Sequence, residues 1–281
     1  MVERGNLELT GDLSMPLPVT IIAELLGVDP AHKEDFKRWS DWIVMDFMGE
    51  VPQDVQDAYE QDMEEFKAFF DHAVQARQER PTDDLIGVLV RAGSENALSA
   101  EEVLAFIVLL LVAGNETTTN LIGNAIIALL SHPHQLKMLQ DDPSLIPNAV
   151  EEALRYDAPV QFLFRRAAKT VELSGVTIPE GSICTVLFGS ANRDERRYAD
   201  PERFDITRDA SGHLAFGHGI HFCLGAPLAR LEGRIALEAL LRRLPNLRRV
   251  DAEVELVPSF FLRGPQRLPL TFVPTAAAVR S

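Results

Sequence analysis

The chain has 281 residues, a net charge of −15, 46% apolar and 25% charged residues. That apolar share over that length fills a sizeable core and excludes a disordered chain, and the presence of just two cysteines, Cys184 and Cys223, excludes a disulfide scaffold. Residues 1–100 carry 21 Asp/Glu against 8 Lys/Arg, an acidic balance that argues against gripping nucleic acid or an anionic membrane surface.

The first residues lack a basic stretch followed by an apolar one, so no signal peptide is expected. The longest apolar run, Val103–Ala113, has eleven residues, whereas a membrane span needs roughly 18. A cytoplasmic, reducing setting is the default expectation. Residues 18–27 read as a helix stopped by Gly27, residues 30–48 as a second with Phe36, Trp39, Trp42 and Ile43 on one side, and residues 54–80 as a long charged helix ending at Pro81. Residues 82–92 predict a shorter helix. Ser99-Ala-Glu-Glu102 is a capping box opening the strongest helix, which runs to about Ser131 ahead of His132-Pro133. Its apolar first half predicts a path through the interior. Its middle, Ala113-Gly-Asn-Glu-Thr-Thr-Thr119, is poor helix material. A helix at 147–156 follows. Residues 167–178 and 181–188 then alternate like strands around a Pro179-Glu-Gly turn. Ala226–Leu244 is an amphipathic helix, and residues 253–272 hold two short strand-like pieces around Arg263-Gly-Pro. No internal repeat is present. The predicted class is mainly α with small β-sheets, in a single domain: a helical part over 1–160 and a loop, strand and C-terminal helix part over 161–281.

Three elements carry chemistry. The first is Phe216-Gly-His-Gly-Ile-His-Phe-Cys-Leu-Gly225. It places Cys223 just ahead of a helix N-terminus, where free N–H groups and the helix dipole favour a thiolate, either a nucleophile or a metal ligand. A plain buried cysteine in a glycine loop is the alternative reading. The second is Glu152-Ala-Leu-Arg155, which by itself reads as an ordinary i,i+3 ion pair. The third is the Gly114/Glu116/Thr117 group inside an apolar helix, where a carboxylate and hydroxyls are costly unless satisfied. Its alternative is a helix kink with threonines bonded back to the preceding turn.

In order, Ala113-Gly-Asn-Glu-Thr-Thr118, Glu152-Ala-Leu-Arg155, Pro201-Glu-Arg-Phe204 and Phe216–Gly225 resemble the cytochrome P450 heme-thiolate monooxygenases of the soluble bacterial type. The resemblance runs from about residue 6 to residue 273. It implies a P450-type fold and heme b (iron protoporphyrin IX), with Cys223 as the axial ligand of the iron. Phe216, Gly217 and Gly225 would surround the sulfur, and His221 and Arg165 would meet the heme propionates, with Arg166 as the neighbour to test. Ala113 and Gly114 would leave room for O2, while Thr117 and Glu116 would deliver protons during oxygen activation. Glu152, Arg155 and Arg203 would form a buried structural network. Leu109, Val112, Val160, Phe162, Phe261 and Leu262 would line a pocket for a small lipophilic substrate. Cys184 matches no family ligand and reads as a core residue in a strand. Asn115 stands where many relatives have a small residue.

The resemblance further implies an iron-dependent oxidoreductase, a monomer inserting one oxygen atom of O2 with electrons from a separate ferredoxin or flavodoxin. Arg230, Arg234, Arg242 and Arg243 form a candidate docking patch for an acidic donor. The opening of the chain resembles an internal part of the family, so an N-terminally truncated member is expected. That sets a second reading beside the first: a truncated, catalytically silent relative with poor or no heme binding. A cysteine-nucleophile enzyme using Cys223 and His221 ranks below both, because no orienting acid is evident.

Overall fold

The computed structural model describes residues 3–48, 51–94 and 98–274. Two compact units emerge: Leu13–Glu116, which is helical, and Met1–Asp12 with Thr117–Ser281, which is mixed. The boundary falls inside one long helix, not near residue 160 where the sequence pattern changes from helical to strand-like.

The helical unit is built from α1 (Pro16–Leu26), α2 (Lys33–Met48), α3 (Gln56–Glu79), α4 (Leu85–Ser94) and the first half of α5 (Ala100–Ser131). Its core is the set of apolar side chains recurring at helical spacing: Ile22 and Leu26, Phe36, Trp39 and Ile43, Phe66 and Phe70, Ile86, Ile107 and Leu111. Aromatic edges lock α2 to α3, with Phe36 and Phe70 centroids 6.3 Å apart and Trp39 and Phe66 5.9 Å apart. The start of α4 is later than the pattern predicts. Asp84 accepts the Gly87 N–H at 2.8 Å and pairs with Arg77 of α3, so it caps the helix just before Leu85. At the start of α5 the capping box forms as expected, Ser99 N–H to Glu102 Oε2 at 2.7 Å and Glu102 N–H to Ser99 Oγ at 3.2 Å.

Along α5 the enclosure is the reverse of the expectation. The first half buries one stripe, Val103, Ile107 and Leu111, and leaves Leu109 58% exposed. The half after residue 117 is enclosed nearly all round, although it carries Thr118, Thr119, Asn120 and Asn124. The helix also continues without a break through Ala113–Thr119, because tertiary packing overrides weak local propensity. By length and composition Glu101–Ser131 would serve to cross a membrane. One of its buried asparagines is tied to the protein on both sides: Asn124 Nδ2 donates to the carbonyls of Asp157 and Arg263 at 3.0 and 2.9 Å.

The mixed unit contains β1 (Asn6–Glu8), the second half of α5, α6 (Pro133–Asp141), α7 (Ile146–Tyr156), β2 (Phe162–Arg166), β3 (Val171–Leu173), β4 (Val176–Ile178), β5 (Ile183–Leu187), the short α8 (Phe188–Ala191), α9 (Ala226–Arg243), β6 (Arg248–Arg249) and β7 (Pro269–Thr271). All pairings between these strands are antiparallel: β1-β7-β6, β2-β5 and β3-β4. The single strand expected over 167–178 is a hairpin. Ser174 and Gly175 both take positive φ, 51° and 80°, which reverses the chain between β3 and β4. The partner of β5 is β2, which the alternation pattern did not mark. The tail lies directly on α5: a Cβ on Gly264 would come within 2.0 Å of Asn120 Oδ1, and one on Gly123 within 2.4 Å of Pro265 Cγ.

Candidate functional site

In the mixed unit the Phe216–Gly225 segment is a tight loop feeding α9. Gly217 and Gly219 both sit at φ 70°, a conformation that a Cβ would strain. Between them and Phe222 runs a single 3₁₀ turn, Gly219–His221. Across its neck the Cys223 N–H donates to the Phe216 carbonyl at 2.9 Å, and the Cys223 carbonyl accepts the Ala226 N–H at 3.3 Å. Cys223 is therefore held three residues ahead of the first helical position, where the dipole favours negative charge on sulfur. It is a free, partly buried thiol, and Gly225 lies against it: a Cβ there would be 3.9 Å from Sγ.

The rim of this loop is apolar and faces outward, with Ile220 97%, Leu224 77% and Phe222 49% exposed. Among the described residues no three His, Cys, Asp or Glu side chains gather as a metal set. Cys223 thus offers one soft ligand in an apolar, aromatic frame, a donor that would suit a heme iron and not a four-ligand zinc site. His221 is exposed in the 3₁₀ turn. Arg165 and Arg166 are exposed on β2, paired in register with Cys184 and Ile183, and Arg165 Nη1 donates to the Phe164 carbonyl at 2.8 Å. Cys184 does lie in a strand, but it is only partly buried.

Four of the apolar positions named from the sequence meet in this unit. Val160 and Leu262 form an antiparallel bridge, and the Gln161 N–H donates to the Phe261 carbonyl at 2.8 Å. Phe162 meets Phe260 in a tilted ring contact, centroids 5.9 Å apart. Leu109, Val112, Ala113, Gly114 and Glu116 belong to the helical unit, while Thr117 is the first residue of the mixed unit on the same helix. Glu116 and Thr117 are partly buried. The space that Gly114 leaves is already used inside the helical unit: a Cβ there would lie 2.6 Å from Ile22 Cδ1 of α1. Asn115 is buried, and its Nδ2 donates to Ser40 Oγ at 3.1 Å, so it serves the contact with α2.

Glu152 and Arg155 are fully buried and pair through both oxygens, Nε–Oε2 at 2.7 Å and Nη2–Oε1 at 2.8 Å. Arg155 Nη1 also donates to the carbonyls of Asn192 and Pro201, each at 2.9 Å, and Glu152 Oε1 accepts the Asp205 N–H at 2.9 Å. This satisfies the buried pair nearly completely. The third arginine differs from the expected one. The Arg203 side chain is 63% exposed and pairs with Asp205, contributing only its carbonyl to Arg155. Arg208 instead approaches, with Nε 3.4 Å from Glu152 Oε1. The turn at Pro201–Phe204 puts the Arg203 backbone inward and its side chain in water.

Two groups escaped the sequence reading. Glu151, beside Glu152 on α7, accepts from Arg230 at 2.6 and 2.9 Å and from His213 at 3.1 Å. Burial pushes its carboxyl up, but the His213 and Arg230 hydrogen bonds more than offset this and hold it at about 2. Arg230 is consequently folded back and differs from Arg234, Arg242 and Arg243, which are exposed on α9. Glu232, buried on α9, has a hydrogen bond with Thr118 of α5, and burial pushes its carboxyl up to about 7. A sequence signal for either was lacking, since Glu151 and Arg230 lie 79 residues apart.

The family model for cytochrome P450 matches residues 33–265. The chain is 44% identical over 271 residues to cytochrome P450 107B1 of Saccharopolyspora erythraea, covering 95% of this chain and 65% of that protein. It is 44% identical over 278 residues to the vitamin D(3) 25-hydroxylase of Pseudonocardia autotrophica, covering 97% of this chain and 67% of that one. Among solved structures it matches cytochrome P450 CYP109Q5 from Chondromyces apiculatus with a TM-score of 0.86 and 46% identity, over 97% of this chain and 68% of the other. The chain thus spans about two thirds of the length of these relatives.

Proposed function

Because the chain belongs to the cytochrome P450 family, we propose that it works as a heme-thiolate monooxygenase, holding heme b through Cys223 and inserting one oxygen atom of O2 into a small lipophilic substrate. The observation that carries this is the Cys223 thiol, tied by its own N–H to Phe216 ahead of α9 inside an outward-facing apolar rim. Bound heme supplies the activation of dioxygen. Phe216 packs beside the sulfur, and backbone N–H groups near Gly225 temper its charge. Arg165 and His221, exposed and basic, take the propionates, with Arg166 as the alternative to Arg165. The Thr117 hydroxyl and the Glu116 carboxylate, neighbours on α5, hold and pass protons, and Ala113 keeps that helix face small. Glu152 and Arg155, with Arg208, have a structural role.

Leu109 and Val112 are apolar positions of the helical unit; in the mixed unit Val160, Phe162, Phe261 and Leu262 supply apolar contact for the substrate. Such a lining suits a lipophilic molecule of the kind named for the Pseudonocardia relative. Electrons come from a separate acidic ferredoxin or flavodoxin docking near Arg234, Arg242 and Arg243. The protein works in the cytoplasm as a monomer, and both units belong to one domain, which the span of the family match across them supports.

The test is the absorption spectrum of the purified, reduced chain under carbon monoxide. The long-wavelength Soret band of a thiolate-ligated heme supports the proposal, and Cys223→Ser removes it. No heme, or the short-wavelength band of a non-thiolate adduct, favours the silent relative. Thr117→Ala leaves the band in place while product formation falls by about 10²-fold or more, the range that a positioned proton donor contributes.

A further inference from the structure

Phe216 is gripped on two sides. The Arg230 guanidinium carbon lies 4.5 Å from its ring centroid, and the His213 ring lies 5.8 Å away at 46°. One carboxylate, Glu151, holds both grips. Arg230 meets it in a two-point fork. His213 meets it through Nε2, and since His213 Nδ1 accepts the Ala215 N–H at 3.2 Å, the ring proton sits on Nε2 and is donated to Glu151. Both ring nitrogens are thereby engaged, and the ring is 3% exposed at its side chain. The Phe216 carbonyl in turn accepts the Cys223 N–H at 2.9 Å.

The two adjacent carboxylates of α7 thus serve different structures. Glu152 turns toward Arg155 and the segment around Asp205, while Glu151 turns toward α9 and the cysteine loop. We propose that Glu151, acting through His213 and Arg230, is the positioning residue of the Cys223 loop: it fixes Phe216, and through the Phe216 carbonyl it sets where the sulfur is presented before any cofactor arrives. This rests on the reading of Cys223 as the heme ligand, but the clamp itself is a property of the polypeptide.

Glu151→Gln, Arg230→Ala and Arg230→Lys in the full chain test it by two measurements. The first is amide hydrogen exchange across residues 214–226 without cofactor. Losing a charge-assisted bond speeds exchange there by about tenfold or more in Glu151→Gln and Arg230→Ala, and Arg230→Lys, which keeps the charge without the planar fork, falls between. Residues 13–94 exchange as before. The second is the carbon monoxide spectrum after heme loading, where the two disruptive variants convert faster to the non-thiolate adduct and Arg230→Lys partly rescues. A lowered melting temperature with unchanged exchange across 214–226 and an unchanged spectrum overturns the proposal, leaving Glu151 as a tie between α7 and α9. If the unaltered chain takes up no heme, the functional reading fails, and the exchange measurement still decides the clamp.

Discussion

Glu232 shows how much one buried side chain can weigh. It is 3% exposed, and burial lifts its carboxyl to about 7, with the Thr118 hydrogen bond opposing. The acid form is the one that the fold accepts. An acid whose folded pKa lies above its unfolded value gives most stability when both states are protonated, below the ordinary value of 4.5, and loses it as pH rises to about 7. The loss is at most about 3 kcal/mol, from the size of the shift. Urea unfolding at a series of pH values between 4.5 and 8 should therefore show declining stability, and Glu232→Gln should flatten that decline. Glu152 differs in having a buried partner: Arg155 meets both of its oxygens. The motif Glu-x-x-Arg was legible in sequence, but its third arginine was not. Arg203 and Arg208 lie five residues apart in one irregular segment, and only the turn decides which side chain points inward.

At the scale of elements, α5 carries the clearest conflict between local preference and structure. Its residues 113–119 disfavour helix, yet the helix is continuous, because later turns are enclosed on nearly every side. The tail meets it where two glycines allow backbone to approach. Gly264→Ala should cost about 1–3 kcal/mol, the range for overpacking, since the new methyl group collides with Asn120. Asn120→Ala should relieve much of that, giving a favourable coupling in a double-mutant cycle read by thermal unfolding. The amphipathic helices were legible because their apolar spacing is dictated by one buried face, as with Phe36, Trp39 and Ile43. Strand pairing was less so. Alternation marked residues 183–187 of β5 but said nothing of its partner β2, and a positive-φ turn at Ser174-Gly175 splits what reads as one strand.

At the scale of the whole molecule, the boundary between the two units lies between Glu116 and Thr117, in mid-helix. One cooperative transition is expected, with calorimetric and van't Hoff enthalpies equal; two transitions would show that the units are separate domains. The mixed unit also leaves apolar side chains exposed on the β2–β5 pair, among them Phe164, Ile183 and Leu187, which is unusual for an isolated two-stranded sheet.

By itself the sequence determined most of the helices (α6 excepted), the glycine loop that carries Cys223 ahead of α9, and the family, because each follows from spacing along the chain. The tertiary structure alone decided that Glu151, His213 and Arg230 close around Phe216, that Arg208 replaces Arg203 beside Glu152, and that Ile22 fills the space at Gly114. Those are meetings of residues far apart in sequence, or of side chains whose direction a turn sets. Only packing, which fixes burial and hence the strength of every charge and hydrogen bond, brings them about.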